Sequence, residues 1–174
     1  MKIDKLILNP LDNNTYFIIN NNEVIVVDPA EDTIKIQEYL DKNNLKVCAI
    51  FITHYHYDHI GSLEYLKEKY KVKVYDYTTI GNFKEIGLKF KVIPTKGHSM
   101  DSVSFYFEKT KDLFVGDFVF YESIGRMDLE GGSEEEMYYS LNELKKFDKD
   151  TKLYPGHGIS TTLEHELLYN PYIW

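Results

Sequence analysis

Cysteine, arginine and long apolar runs are scarce in this sequence of 174 residues. The single cysteine, Cys48, excludes a disulfide bond within the chain, which is compatible with a reducing cytosol. There is no run of about 18 apolar residues, so no transmembrane helix is expected. Residues 1–5 are too polar to begin a signal peptide. Together these absences predict a cytoplasmic protein without a membrane partner.

An excess of positive charge is also lacking. The formal net charge is -8, and Arg126 is the only arginine. Proteins that bind the phosphate backbone of nucleic acids normally carry a basic stripe, so nucleic acid is not an expected partner. The length fits one domain with a sizeable core, and no linker or repeat divides residues 1–174.

Hydrophobic patterns predict strands that alternate with helices. Strands are predicted over residues 1–8, 15–19, 24–28, 47–52, 72–75, 88–93, 102–107, 113–115 and 152–154, and helices over residues 32–42, 60–70, 133–146 and 162–169. Four of the apolar strands end directly before a segment that carries His or Asp. Loops at strand ends commonly hold functional groups on a rigid scaffold, so these segments are the candidate site.

Residues that bind metals are concentrated in those segments. The tight turn after the strand at 47–52 offers four, and three more follow later strands. They are His54, His56, Asp58, His59, His98, Asp117 and His157. Seven imidazole and carboxylate ligands exceed the needs of one tetrahedral ion and suit two divalent ions that share a bridging carboxylate. The sixth histidine, His165, lies between two glutamates and is interpreted as a surface or interface residue.

These motifs resemble those of the metallo-β-lactamase-fold superfamily, and most closely its short glyoxalase II-like (hydroxyacylglutathione hydrolase-like) branch. The similarity covers nearly the whole chain. It rests on Val27-Asp28-Pro29, Thr53-His54-Tyr55-His56-Tyr57-Asp58-His59, Gly97-His98-Ser99, Gly116-Asp117, Gly125-Arg126-Met127-Asp128 and Pro155-Gly156-His157-Gly158. The resemblance implies an α/β (α+β) fold, a four-layer αββα sandwich with the metals at one edge.

The resemblance also implies how two metal ions would be held. One ion would be bound by His54, His56 and His98, the other by Asp58, His59 and His157, with Asp117 as the bridge. Asp28 would orient an imidazole beside the site rather than bind metal. Zinc is the ion most expected, and iron or manganese is possible because these ligand types suit all three.

The expected chemistry is hydrolysis of a small acyl substrate. Two divalent ions outweigh the charges of Asp58, Asp117 and a bridging hydroxide, so the site can stabilise an oxyanion. The hydroxide would be the nucleophile, and Asp58 would orient it and move a proton. No separate acid is apparent, which favours a thioester because a thiolate leaves without strong acid help. Arg126 and Lys96 are candidate contacts for a substrate carboxylate.

Other functions are compatible with this ligand set. A mononuclear-iron persulfide dioxygenase, a lactonase or other ester hydrolase, and a non-enzymatic metal-binding interaction module are the alternatives. A β-lactamase is disfavoured because Cys48 precedes the motif and cannot supply the cysteine ligand that one class uses. The helical C-terminal domain with which long glyoxalase II enzymes bind glutathione has no counterpart after His157, so glutathione recognition is not predicted. No pattern predicts an oligomeric state.

Overall fold

Two β-sheets and flanking helices make up the structure, a computed structural model that describes residues 1–173. The strands are β1 (Lys2–Leu8), β2 (Asn13–Asn20), β3 (Glu23–Val27), β4 (Lys46–Phe51), β5 (Lys73–Tyr75), β6 (Gly81–Glu85), β7 (Leu88–Pro94), β8 (Val103–Phe107), β9 (Asp112–Gly116), β10 (Val119–Phe120), β11 (Ser123–Ile124), β12 (Lys152–Pro155) and β13 (Thr161–Thr162). The helices are α1 (Thr33–Lys42), α2 (Tyr57–Ile60), α3 (Leu63–Tyr70), α4 (Glu134–Leu144) and α5 (Leu163–Tyr169).

The strand order explains why distant segments meet at one edge. Sheet one has the order β1-β2-β3-β4-β5, and sheet two has the order β13-β12-β9-β8-β7-β6. β7 and β9 each pair antiparallel with β8, and β12 pairs parallel with β9. β7, β9 and β12 therefore run in the same direction. Their carboxyl ends lie along one edge of sheet two, directly before His98, Asp117 and His157.

Apolar side chains on both faces of each sheet hold four layers together. In β2, Tyr16 and Ile18 face the cluster between the sheets, whereas Phe17 and Ile19 belong to the cluster beneath α1 and α3. The second sheet contributes Phe105 and Phe114 to the inner cluster and packs its other face on α4 and α5. Strands buried on both faces read as continuous apolar runs. The predicted αββα sandwich is confirmed.

The helix predicted over residues 60–70 is divided in the structure. α2 already contains Asp58 and His59, so part of the segment interpreted as a turn is helical. A Cβ added at Gly61 would lie 2.7 Å from the backbone nitrogen of Glu31, so the chain there packs directly on the loop after β3. The Ser62 hydroxyl donates to the same loop at 2.6 Å. These contacts separate α2 from α3.

Four short strands have no counterpart in the sequence prediction. β6 is an edge strand that contains Gly81 and Asn82, which are depleted in strands. β10, β11 and β13 have two residues each, too few to show a period. None of the helices in the described part of the chain is long and apolar enough to cross a membrane.

Candidate metal centre

The seven predicted ligands converge where the two sheets meet. They form three groups in which the ligand atoms lie within 4.8 Å of one another: His54, His56 and His98; His54, His59 and Asp117; and Asp58, His59 and His157. The edge is closed by a backbone hydrogen bond in which Val103 N donates to the Thr53 carbonyl at 2.8 Å. The sequence therefore identified a set of residues that the fold brings together from four separate segments, which follow β4, β7, β9 and β12.

A glycine allows the closest approach between these loops. A Cβ added at Gly156 would lie 2.3 Å from Asp117 Oδ1 and 2.5 Å from His59 Cε1. Both distances are below any van der Waals contact, so a side chain at position 156 would displace one of these two groups. Only glycine lets the end of β12 pass behind the candidate ligands.

Asp28 orients two of the histidines, one directly and one through Thr53. Its Oδ1 accepts from Thr53 N at 2.7 Å, and its Oδ2 accepts from the Thr53 hydroxyl at 2.7 Å. Oδ2 also lies 3.0 Å from His59 Nδ1, and the Thr53 hydroxyl lies 3.1 Å from His54 Nδ1. Asp28 is 2% exposed and has a φ of 46°, a region that costs a non-glycine residue about 1–3 kcal/mol. These hydrogen bonds offset that strain and orient both rings.

Backbone carbonyls orient two more rings. His98 Nδ1 donates to the Arg126 carbonyl at 2.7 Å, and His157 Nδ1 donates to the Leu11 carbonyl at 3.0 Å. A carbonyl oxygen only accepts, so the proton is on Nδ1 and the lone pair is on Nε2. His54 has the same arrangement through the Thr53 hydroxyl, and His59 Nδ1 donates to Asp28 Oδ2. Orienting partners of this kind are typical of histidines that bind metal.

The inward-facing atoms fit divalent cations. His56 Nδ1 lies 3.1 Å from His54 Nε2 and 2.9 Å from His98 Nε2, so three imidazole nitrogens face one another with lone pairs on at least two of them. Among residues 1–173, His59 Nε2 and Asp117 Oδ1 are buried without a hydrogen-bond partner, 3.4 Å apart. Facing lone pairs and orphaned buried atoms are stabilised by a shared cation.

The protonation of the cluster follows from burial and mutual charge. Burial and the four neighbouring imidazoles hold the pKa of His54 well below its usual value of 6.5, so this ring is neutral and able to bind metal. Burial also opposes the charged form of His59, but Asp117 and Asp28 outweigh it and raise its pKa to about 10. Burial disfavours ionised Asp117, yet His59 prevails and lowers its pKa. His59 and Asp117 thus each favour the charged form of the other.

Several residues that hold the site in place were not found from the sequence. Asn14 Nδ2 donates to the carbonyls of Pro155 and Gly158 at 3.0 and 2.9 Å, on either side of His157. The Tyr16 hydroxyl donates to the Pro155 carbonyl at 2.7 Å. These bonds join residues about 140 positions apart, and no local pattern signals them. The only signal in the sequence is that Asn14 is a polar residue directly before the predicted strand at 15–19.

The two predicted substrate contacts, Arg126 and Lys96, have different surroundings in the structure. The Arg126 guanidinium forms two hydrogen bonds of 2.7 Å with Asp128 at the surface, while its carbonyl holds His98. The Lys96 side chain is half-buried, and its carbonyl accepts from the Ser140 hydroxyl at 2.7 Å. The Arg126–Asp128 pair is an exposed salt bridge between two residues of the same segment. Binding of a carboxylate by Arg126 or Lys96 stays a prediction.

Comparisons with known proteins identify the family. A family model described as the metallo-beta-lactamase superfamily matches residues 8–85 and 76–157. The chain belongs to this superfamily. It is a hydrolase of that superfamily, built around a cluster able to bind metal ions.

Individual relatives agree with this assignment. A Bacillus subtilis (strain 168) protein named "Probable metallo-hydrolase YqgX" is 30% identical over 206 residues, covering 99% of this chain and 98% of its own length. A hydroxyacylglutathione hydrolase of Francisella tularensis subsp. novicida (strain U112) is 36% identical over 171 residues, covering 90% of this chain and 68% of its own.

Solved structures with the same fold include two at 28% identity. The BLEG-1 B3 metallo-beta-lactamase has a TM-score of 0.94 and covers 99% of both chains. TTHA1623 in a di-iron-bound form has a TM-score of 0.88 and covers 97% of this chain and 99% of its own. The fold predicted from the motifs is confirmed by these likenesses.

Proposed function

We propose that this protein hydrolyses a small thioester with two divalent metal ions. The observation that carries the proposal is the set of seven inward-facing ligand atoms, which divides into groups that each suit one ion. His54, His56 and His98 would hold one ion, Asp58, His59 and His157 the other, and Asp117 would bridge them. Bound there, the ions would polarise a carbonyl and lower the pKa of water to about 7.

The residues themselves supply orientation and proton transfer. Asp58 Oδ2 lies 3.1 Å from His157 Nε2 and 3.5 Å from His59 Nε2, and the side chain is almost fully buried. Burial disfavours the ionised carboxyl, but His157 and His59 outweigh it and lower the pKa of Asp58. An ionised carboxylate at this position would orient the attacking water and accept its proton.

A thioester is favoured by the side chains around the cluster. The Tyr55 hydroxyl, which belongs to the metal motif, donates to Asp76 at 2.5 Å. Burial and Asp76 raise the pKa of Tyr55, so this hydroxyl is a poor proton donor to a leaving group. A thiolate leaves without such a donor because a thiol has a pKa of about 8.5, whereas an amine needs one. The hydroxyacylglutathione hydrolase relative supports the same substrate class.

The test combines metal analysis with assays of substrate turnover. Protein stripped of metal and reconstituted with Zn, Fe or Mn is expected to bind about two ions per chain. It should then release thiol from S-D-lactoylglutathione or from another small thioester. Asp58→Asn should remove most of this activity, whereas Asp148→Asn, which changes an exposed aspartate, should not. Full metal occupancy with no turnover of any thioester would overturn the proposal.

The rival functions are separated in the same experiment. A persulfide dioxygenase would consume oxygen with glutathione persulfide and would bind about one iron per chain. Because TTHA1623 has been solved in a di-iron-bound form, reconstitution with iron must be included in the experiment. The likeness to the BLEG-1 enzyme makes a β-lactam such as nitrocefin the second rival substrate. A lactone belongs in the panel because the same ligands would serve it. Metal-dependent folding without any turnover would instead indicate an interaction module.

A further inference from the structure

The candidate metal centre reaches solvent at some of its ligands and not at others. His54, His59 and His98 are buried, whereas the side chains of His56 and His157 are partly exposed, that of His157 by 25%. A substrate carbonyl that is to lie among the ligands must therefore approach past the exposed rings. The side chains that flank these rings determine which kind of substrate can be bound.

Apolar side chains lie beside His157. The Leu11 carbonyl accepts from His157 Nδ1 at 3.0 Å, and the Leu11 side chain is 54% exposed. The ring centroid of Phe120, a partly exposed residue, lies 6.2 Å from that of His157. Ile159 follows His157 by two residues and is 59% exposed. We call Leu11, Phe120 and Ile159 the apolar rim.

Exposed apolar side chains also occur beside other ligands. Tyr57 directly follows His56, and Met100 lies two residues after His98. Both side chains are well exposed. Apolar surface left open around a few polar groups is typical of a site that binds a small molecule. The surroundings of the metal centre therefore favour a substrate with an apolar part.

Two cations beside the cluster already have acceptors within the protein. The Arg126 guanidinium forms two hydrogen bonds of 2.7 Å with Asp128. The Lys5 ammonium, next to the apolar rim, donates to Asn14 Oδ1 at 3.0 Å and to the Gly158 carbonyl at 3.1 Å. A carboxylate of the substrate would compete with these acceptors. Negative charge on the substrate therefore gains less here than apolar surface does.

We propose that the hydrolytic centre selects a thioester with an uncharged, apolar acyl group that lies against the apolar rim. This inference rests on the proposed function, because it takes thioester hydrolysis as the reaction. A medium-length aliphatic acyl group would cover part of Leu11, Phe120 and Ile159 while its carbonyl lies among the ligands. Removal of this apolar surface from water favours binding, so activity should rise with the length of the acyl group.

The test compares three thioesters as substrates of the full chain loaded with metal, and a chromogenic reagent measures the thiol released. Hexanoyl-N-acetylcysteamine has the apolar acyl group, acetyl-N-acetylcysteamine has a short one, and S-hexanoylglutathione joins the same hexanoyl group to a charged thiol. We expect kcat/KM for the hexanoyl compound to exceed that for the acetyl compound about tenfold or more, equivalent to about 1.4 kcal/mol. S-hexanoylglutathione should be hydrolysed no faster than hexanoyl-N-acetylcysteamine.

Matched variants locate the selectivity. Leu11→Ser/Ile159→Ser should lower the ratio of the hexanoyl to the acetyl kcat/KM about fivefold. Tyr139→Ser should leave this ratio unchanged, because Tyr139 is an exposed residue of α4 that lies beside Glu108, at the opposite edge of sheet two. Metal content and circular dichroism, measured on each variant, report whether the metal centre and the fold are retained.

A thioether that cannot be hydrolysed separates binding from reaction. In calorimetry, S-hexyl-N-acetylcysteamine should bind to the double variant about fivefold more weakly than to the unmodified protein. If no thioester is turned over, the proposed reaction fails, and this titration still decides whether the apolar rim binds the hexyl group. Equal binding to both proteins would overturn the role of the rim.

Other outcomes also contradict the proposal. Equal kcat/KM for the hexanoyl and acetyl compounds would show that the centre does not select apolar acyl groups. Faster hydrolysis of S-hexanoylglutathione would indicate that Arg126 or Lys96 binds a substrate carboxylate instead. A dimer in light scattering that Leu11→Ser/Ile159→Ser dissociates would indicate that a second copy of the chain covers the apolar rim.

Discussion

Asp28 is a residue whose effect on the metal centre can be isolated. Its carboxylate accepts from Thr53 twice and faces His59 Nδ1, so it acts on two rings without facing the centre of the cluster. Asp28→Asn keeps the size of the side chain but replaces one accepting oxygen with an amide NH₂ group. This group cannot accept a hydrogen bond from Thr53 or His59. We expect metal affinity to fall about 10–100-fold, as is typical when a partner of a metal-binding histidine is lost.

Competition with a chromophoric chelator measures this affinity for zinc. Asp148→Asn is the matched control, because that aspartate forms an exposed pair with Lys111 far from the cluster. Unchanged zinc affinity in Asp28→Asn would show that Thr53 and the surrounding packing orient the rings without the carboxylate.

Gly156 supports a second prediction at the scale of one residue. A methyl group there would overlap Asp117 Oδ1 and His59 Cε1, so Gly156→Ala should displace at least one of them. We expect loss of about one metal ion per chain and of most activity, while the αββα fold is retained. Elemental analysis and circular dichroism measure the two effects separately.

Gly158→Ala is the control for this prediction. An added Cβ at Gly158 has nothing within 4 Å, although its φ of 76° makes the substitution costly by about 1–2 kcal/mol. It should lower stability slightly and leave both ions bound. Equal loss of metal in the two variants would mean that the loop backbone, rather than the overlap, controls the site.

The residues that the fold groups together could be picked from the sequence because their chemistry is local. His54, His56, Asp58 and His59 are informative through type and spacing alone, and their grouping is seen in the structure. Asn14 and the Leu11 carbonyl were missed because they act only through long-range hydrogen bonds, two for Asn14 and one for the carbonyl. A backbone carbonyl has no sequence signal at all, so orienting contacts of this kind require the fold.

At the scale of elements, hydrogen bonds to one buried carboxyl group connect α5 to the hairpin of β10 and β11. Glu166 is 0% exposed and accepts from the Thr161 hydroxyl at 2.6 Å, Glu122 N at 2.9 Å and Asn170 Nδ2 at 2.8 Å. Glu166→Ala leaves these three donors without their acceptor. We expect the free energy of unfolding to fall by about 3 kcal/mol, measured by urea denaturation.

Glu164 in the same helix provides the comparison. It is exposed, so Glu164→Ala should change the free energy of unfolding by less than about 0.5 kcal/mol. Similar losses in both variants would mean that helix propensity, rather than the buried network, determines the stability of α5.

Elements with a strong period were predicted, and those defined by their neighbours were not. β2, β3 and β4 carry continuous apolar runs, and α4 has a capping serine, Ser133, whose hydroxyl accepts from Glu136 N at 3.3 Å. β6 has one large apolar residue, Phe83, and exists because β7 pairs with it. The proximity of Lys84 and Lys89 was missed for the same reason, since these residues become neighbours only through that pairing.

On the scale of the whole molecule, the apolar core and the metal centre should contribute separately to stability. Three clusters of buried apolar residues join the four layers, and none of them includes the seven candidate ligands. Protein treated with a chelator is therefore expected to remain folded. The ions add to this stability because they bind the folded cluster, by about 4 kcal/mol for each site when free metal is about 1,000 times its Kd.

Two such sites correspond to an increase of about 15–30 °C in Tm for a chain of this size. Differential scanning calorimetry with chelator, and again after zinc is restored, measures this difference. A Tm that does not respond to zinc would show that the cluster is not a metal site. Unfolding by the chelator at room temperature would show that the core cannot hold the sheets together while His59, Asp117 and their neighbours lack a shared cation, so that metal binding and folding are one event.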